Sequence, residues 1–79
     1  MTENQKRIRN WRFVFPFEGE EVTYDHDGNY FFGQGMARTR AWINGWCKAY
    51  EVLEDGEPLL VFWYVSSGSP YSVISKAVS

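Results

Sequence analysis

The chain has 79 residues, 10 acidic against 8 basic side chains, and one cysteine. That length holds a single domain, one cysteine closes no internal disulfide, and no apolar run approaches the roughly 20 residues of a membrane-spanning helix. A net charge of −2 lies too near zero to select nucleic acid or any other charged partner. Aromatic residues make up 19% of the chain, so large rings either supply a small core or serve an interface.

Met1 to Asn10 is polar and basic, with Lys6, Arg7 and Arg9 against Glu3. It is expected to be a flexible arm over residues 1–10, with residues 11–79 as one compact domain. The start has no apolar run of the kind a secretory signal needs. Together with the lone Cys47, this makes the cytoplasm the expected location and a membrane partner unexpected.

Trp11 to Phe17 alternates cleanly. Trp11, Phe13, Phe15 and Phe17 share one face of a strand, and Pro16 marks an edge or an end. Glu18 to Glu21 turns the chain. Val22–Tyr24 is then expected to pair with Tyr30–Phe32 across the loop 25–29, and Gly33-Gln34-Gly35 reads as a bulge or corner.

Two dipeptides dominate the second half of the chain. Asn44-Gly45 and Asp55-Gly56 both suit the two-residue hairpin loop, which needs positive φ at both central positions. Counting outward gives three strands over 36–43, 46–54 and 57–65. One face would carry Ile43, Trp46, Lys48, Tyr50, Val52, Leu59, Val61, Trp63 and Val65. That face is apolar except for Lys48, beside Trp63, and is the expected core. The other face would carry Arg38, Arg40 and Trp42 with Cys47, Phe62 and Tyr64. Ser66 to Pro70 reads as a loop and 71–75 as a last short strand.

The fold class expected from this spacing is all-β: a small antiparallel meander, closed into a partly open barrel or a sandwich. The alternative is α+β, with one helix at about 37–54 on an antiparallel sheet. Trp42, Ile43, Trp46, Ala49, Tyr50 and Leu53 also form a helical stripe. Against that helix, Gly45 would sit in its interior, where glycine costs about 1 kcal/mol relative to alanine.

No constellation reaches a chemical signature. Asp25, Asp27 and Asn29 offer oxygen ligands, but the EF-hand pattern fails, because Met36 stands where a bidentate Glu belongs. They read as a polar turn. His26, the only histidine, has no nucleophile pointed to it by the sequence and reads as a solvated turn residue. Cys47 reads as a packed thiol, since Lys48 would point to the opposite face of its strand. Gly33-Gln34-Gly35 lacks the rest of a phosphate-binding signature. No catalytic residue, metal or cofactor is expected.

Interaction is the remaining class. Trp, Tyr and Arg carry binding hot spots, and a sheet of one layer cannot bury both faces. The expected function is a small non-catalytic module that docks a protein or a second copy of itself. The expected contact residues are Arg38, Arg40, Trp42 and Tyr64. Small acidic chains without motifs include many viral and mobile-element accessory factors, an association of size and composition alone. The alternative is a small barrel that binds single-stranded nucleic acid. Lys6, Arg7, Arg9, Arg12, Trp11 and Phe13 mix cations with rings as such binders do, although two acidic patches, 18–27 and 51–57, oppose it.

Overall fold

The computed structural model describes residues 3–54, 56–66 and 73–77, with side chains over 5–54 and 56–66. A single helical turn, α1 (Glu3–Lys6), precedes strand β1 (Arg9–Phe17). Arg9 and Asn10, grouped with the arm by sequence, are thus the first two residues of a strand. The alternation read from sequence sets the core: Trp11 and Phe13 are fully buried and Phe15 is nearly so.

β1 pairs over its whole length with β2 (Glu20–Gly28), from Arg9↔Gly28 to Phe17↔Glu20. The two-residue loop between them has φ of 52° at Glu18 and 82° at Gly19. Positive φ at both positions is the type I′ hairpin. This long hairpin replaces the expected short pairing of 22–24 with 30–32. Asp25, His26 and Asp27 lie within β2 and not in a loop.

Residues 30–44 are helical. Helix α2 (Tyr30–Asn44) begins at Asn29, whose side-chain oxygen accepts the Phe32 amide over 2.9 Å. It ends at Gly45, with φ 112°, whose amide donates to the Ala41 carbonyl over 2.8 Å. The strand expected at 36–43 is therefore corrected, and so are the bounds of the 37–54 helix. Asn44-Gly45 does stop the chain, but as a helix end and not as a hairpin loop.

Topology explains why a helix forms there. β3 (Trp46–Glu51) pairs antiparallel with the other side of β1, from Trp11↔Glu51 to Val14↔Lys48. β2 and β3 therefore run parallel, with β1 between them. Parallel strands need a long crossover, usually helical, and α2 supplies it. Pairing with β3 stops at Val14, so Pro16, which has no amide proton, lies beyond that ladder.

β4 (Leu59–Ser66) pairs with β3, and β5 (Val73–Ala77) pairs with β4. The product is an open antiparallel sheet in the order β2-β1-β3-β4, with β5 outside β4 and one long helix packed on it. The antiparallel sheet of the leading expectation and the helix-on-sheet of its alternative are both present. The expected register holds at Trp46↔Val65 and Lys48↔Trp63, then slips by one beyond Ala49. Val61 is the extra residue of that bulge, so Tyr50 meets Leu60. Asp55 of the second expected turn lies outside the described residues. So does 67–72, which holds most of the expected loop and the start of the expected last strand.

The helix covers the face opposite to the expected core. Cys47, Ala49, Phe62 and Tyr64 are buried under it, together with Trp11, Phe13 and Phe15. Trp46, Lys48, Tyr50, Trp63 and Val65 occupy the other face and are half-buried. Small residues on the helix make this packing close. Gly33, Ala37 and Ala41 are its buried positions, and they meet the large rings of the sheet. A Cβ at Gly33 would overlap the Trp11 indole.

Candidate functional site

The four expected contact residues do not form one surface. Tyr64 is 2% exposed, under the helix, and is removed from the contact set. The period-two count placed it opposite the core, whereas it belongs to the core. Arg40 is half-buried against the body of the protein, its guanidinium carbon 5.1 Å from the centre of the Phe15 ring. Arg38 and Trp42 remain together on α2. They are four residues apart, hence neighbours on the helix surface, and both are exposed.

The outer face of α2 extends that pair. Phe31, Gly35, Arg38 and Trp42 follow at spacings of four, three and four residues, which is one stripe of a helix. Phe31 is 44% exposed, Trp42 49%, and Ile43 on its flank 64%. Phe32 lies at the sheet side of the stripe, 4.8 Å from the His26 ring, and is also partly exposed. The helix carries two charged side chains, Arg38 and Arg40. An exposed helix face ordinarily alternates charges; this one presents rings and a single cation.

Gly35 was missed by sequence reasoning. Its two-residue neighbour Gly33 is required by the Trp11 indole. A Cβ at Gly35, by contrast, meets nothing within 4 Å among the described residues outside its own stretch of helix. Glycine in a helix interior costs about 1 kcal/mol relative to alanine. Nothing within the described chain offsets that cost.

The sheet face away from α2 holds a second feature. The Lys48 ammonium lies 4.7 Å from the Trp63 ring centre and 5.7 Å from that of Trp46. Beside it, Arg12 grips Asp25 through two hydrogen bonds of 3.0 and 3.2 Å. That bond, with the guanidinium's charge, holds the Asp25 carboxyl below its ordinary value.

The remaining candidates are structural. Burial pushes the Cys47 thiol up to about 12, against the opposing pull of Arg40 and a backbone hydrogen bond from Val14. A thiol so protonated is a poor nucleophile. His26 stacks near Phe32 and Tyr24, with Nδ1 2.6 Å from the Asp27 carbonyl oxygen. An open cleft of about 450 Å³ is lined by Asn10, Trp11, Asp25, His26, Asp27 and Val52. His26 and its two flanking carboxylates alternate along β2, so they point to opposite faces and do not converge. Asn29 caps α2. Among the described residues, no three of His, Cys, Asp or Glu gather at metal-binding distance. No described helix is long and apolar enough to cross a membrane.

Comparison with protein families, curated proteins and solved structures finds no match to this chain.

Proposed function

We propose that this chain is a cytoplasmic, non-catalytic interaction module that docks a protein through the outer face of α2. One observation carries the reading. The only long helix of the described structure turns two rings and an isoleucine outward, at 44, 49 and 64% exposure, around a single arginine. Aromatic and arginine side chains grouped in this way are what interface centres are made of. Arg38 and Trp42 are the contact residues retained from the sequence, joined by Phe31. Arg40 supports the helix through Phe15 and is left out of the contact set.

The test is a capture experiment with tagged protein. Arg38→Glu with Trp42→Ala is expected to abolish retention of the bound protein while the circular dichroism spectrum stays unchanged. Retention equal to that of the parent chain would sink this reading.

A second reading is favoured by the sheet face away from α2. Trp46, Tyr50 and Trp63 lie there with Lys48 and Arg12. Rings and cations on one antiparallel sheet suit single-stranded nucleic acid. Oligonucleotide binding that weakens with salt and is lost in Trp63→Ala would support it. Absence of binding at low salt removes it.

A further inference from the structure

We infer that the outer edge of β2 is a further docking surface, separate from the outer face of α2, and that it takes an extended basic segment of a partner protein as an added antiparallel strand. The phase of the β1–β2 hairpin, the cover on each side of β2 and the charge along it lead there.

The phase is set by the loop. Residues that flank a two-residue hairpin loop exchange both hydrogen bonds, and bonded pairs then alternate along an antiparallel ladder. Phe17↔Glu20 flanks the loop, so Phe15↔Val22, Phe13↔Tyr24 and Trp11↔His26 are bonded pairs as well. Two contacts on the β3 side of β1 agree. The Pro16 carbonyl accepts the Asn44 side-chain amide over 2.9 Å, and the Asn10 carbonyl accepts the Val52 amide over 2.8 Å. In β2, therefore, the backbone groups of Glu21, Thr23, Asp25 and Asp27 point away from β1. No described strand lies there. The β1–β2 register runs without a shift and β2 contains no proline. The outward groups thus form an unbroken row, roughly 20 Å long. A long edge without bulge or proline is open to strand addition.

The two sides of that row differ. On the α2 side β2 carries Val22, Tyr24 and His26. Tyr24 is 43% exposed, and Phe32 of α2, 4.8 Å from the His26 ring, is 36% exposed. An added strand lies about 4.8 Å outside β2, so its side chains on this side cover the open flanks of these rings. Its apolar positions belong there. On the other side β2 carries Glu21, Thr23, Asp25 and Asp27. Arg12 already grips Asp25. Glu21 and Asp27, exposed near the two ends of the row, are the carboxylates offered to lysine or arginine of the partner. In strand addition the main-chain bonds supply affinity and the alternating side chains supply specificity. The occupant that fits alternates apolar with basic residues. An antiparallel direction matches every ladder of this sheet.

The probe is a capped peptide of the length of β2 in which valine and lysine alternate, added to about 1 mM to the full chain. Amide hydrogen exchange at Glu21, Thr23, Asp25 and Asp27 is expected to slow by about tenfold or more. Val22, Tyr24 and His26, already bonded to β1, are expected to change little. N-methylation of the peptide's lysines, whose amides face β2, is expected to abolish binding, whereas N-methylation of its valines leaves it intact. Thr23→Pro removes one outward amide and no bond to β1, and is expected to weaken binding by about tenfold or more. Glu21→Lys with Asp27→Lys keeps the edge and is expected to exchange this peptide for one in which valine and glutamate alternate. A parent chain that shows no alternating protection overturns the added strand. So does a peptide that binds equally well with either set of amides methylated, since charge alone then holds it. Protection of the same four amides by raising the protein concentration, without peptide, assigns the edge to a second copy and overturns the basic partner.

Discussion

Arg9 and Glu51 face each other across the β1–β3 boundary at 3.5 Å, with side chains 6% and 9% exposed. Arg7 reaches the second carboxylate oxygen at 3.3 Å from a more exposed position. The Arg9 guanidinium also lies over the rings of Trp11 and Tyr30, at 5.8 and 5.4 Å. A buried pair of this kind is weak evidence of net stabilisation, since desolvation offsets much of the attraction. Removing one partner is a different matter. Glu51→Ala takes a carboxylate away from the buried Arg9 guanidinium and is expected to cost about 3–5 kcal/mol in urea unfolding. Arg9→Met added to Glu51→Ala is expected to recover most of that loss. A double variant no more stable than Glu51→Ala would falsify the assignment of the cost to the buried charge of Arg9.

Gly33 predicts the reverse of ordinary helix propensity. Alanine there gains about 1 kcal/mol as a helix former. Its methyl, however, runs into the indole of Trp11, which is fully buried. That ring cannot swing away cheaply. Its Nε1 donates to the carbonyl oxygens of Gly28 and Asn29, over 2.9 and 3.2 Å. Gly33→Ala is expected to destabilise by about 1–3 kcal/mol, the scale of core overpacking. A neutral or stabilising outcome by thermal melting would show that α2 can lift from β1.

The turn at Glu18-Gly19 can be improved. Glu18 holds φ of 52°, a conformation in which Cβ crowds the following carbonyl oxygen. Asparagine tolerates it well. Glu18→Asn is expected to stabilise by about 1 kcal/mol, read as a higher urea midpoint with an unchanged slope. An unchanged midpoint would mean that the strain is already relieved.

Cys47 links stability to alkali. Its ordinary value is 9.0, and in the folded chain burial raises it to about 12. Between those values the unfolded chain has lost the proton that the folded chain keeps. The folded state therefore loses stability as pH rises from about 9 towards 12. Cys47→Ala is expected to show a flatter decline over that window. At pH 8 the native thiol is expected to ignore a disulfide reagent that labels it at once in denaturant. Rapid labelling of the native protein would contradict the burial.

The legibility of this fold differed from element to element, for physical reasons. The β1 alternation was plain, because four rings at period two have no helical counterpart. The register of β3 on β4 was legible as far as Ala49 and was lost at the Val61 bulge, which adds a residue no pattern announces. Residues 36–43 misled, because Asn44-Gly45 fits a hairpin loop and a helix C-cap equally well by local chemistry. What decided between them was non-local. β3 docks on β1 parallel to β2, and only a crossover can connect those strands. Gly33-Gln34-Gly35 looked like a strand break for the same reason, since its use depends on where Trp11 lies. Once the helix was in place the two sheet faces exchanged roles. Tyr64 went under the helix, and Arg38 with Trp42 stayed exposed.

β2 stands at the margin of the sheet. Its outer backbone groups can template another strand, which is how single-layer sheets stack sideways into fibrils. Glu20, Glu21, Asp25 and Asp27 lie along it, with no lysine or arginine among them. Two such margins brought together repel each other, so lateral growth is checked by electrostatics and not by shape. Replacing these carboxylates with neutral side chains lifts the check, leaving this rim as the place where fibril growth would start.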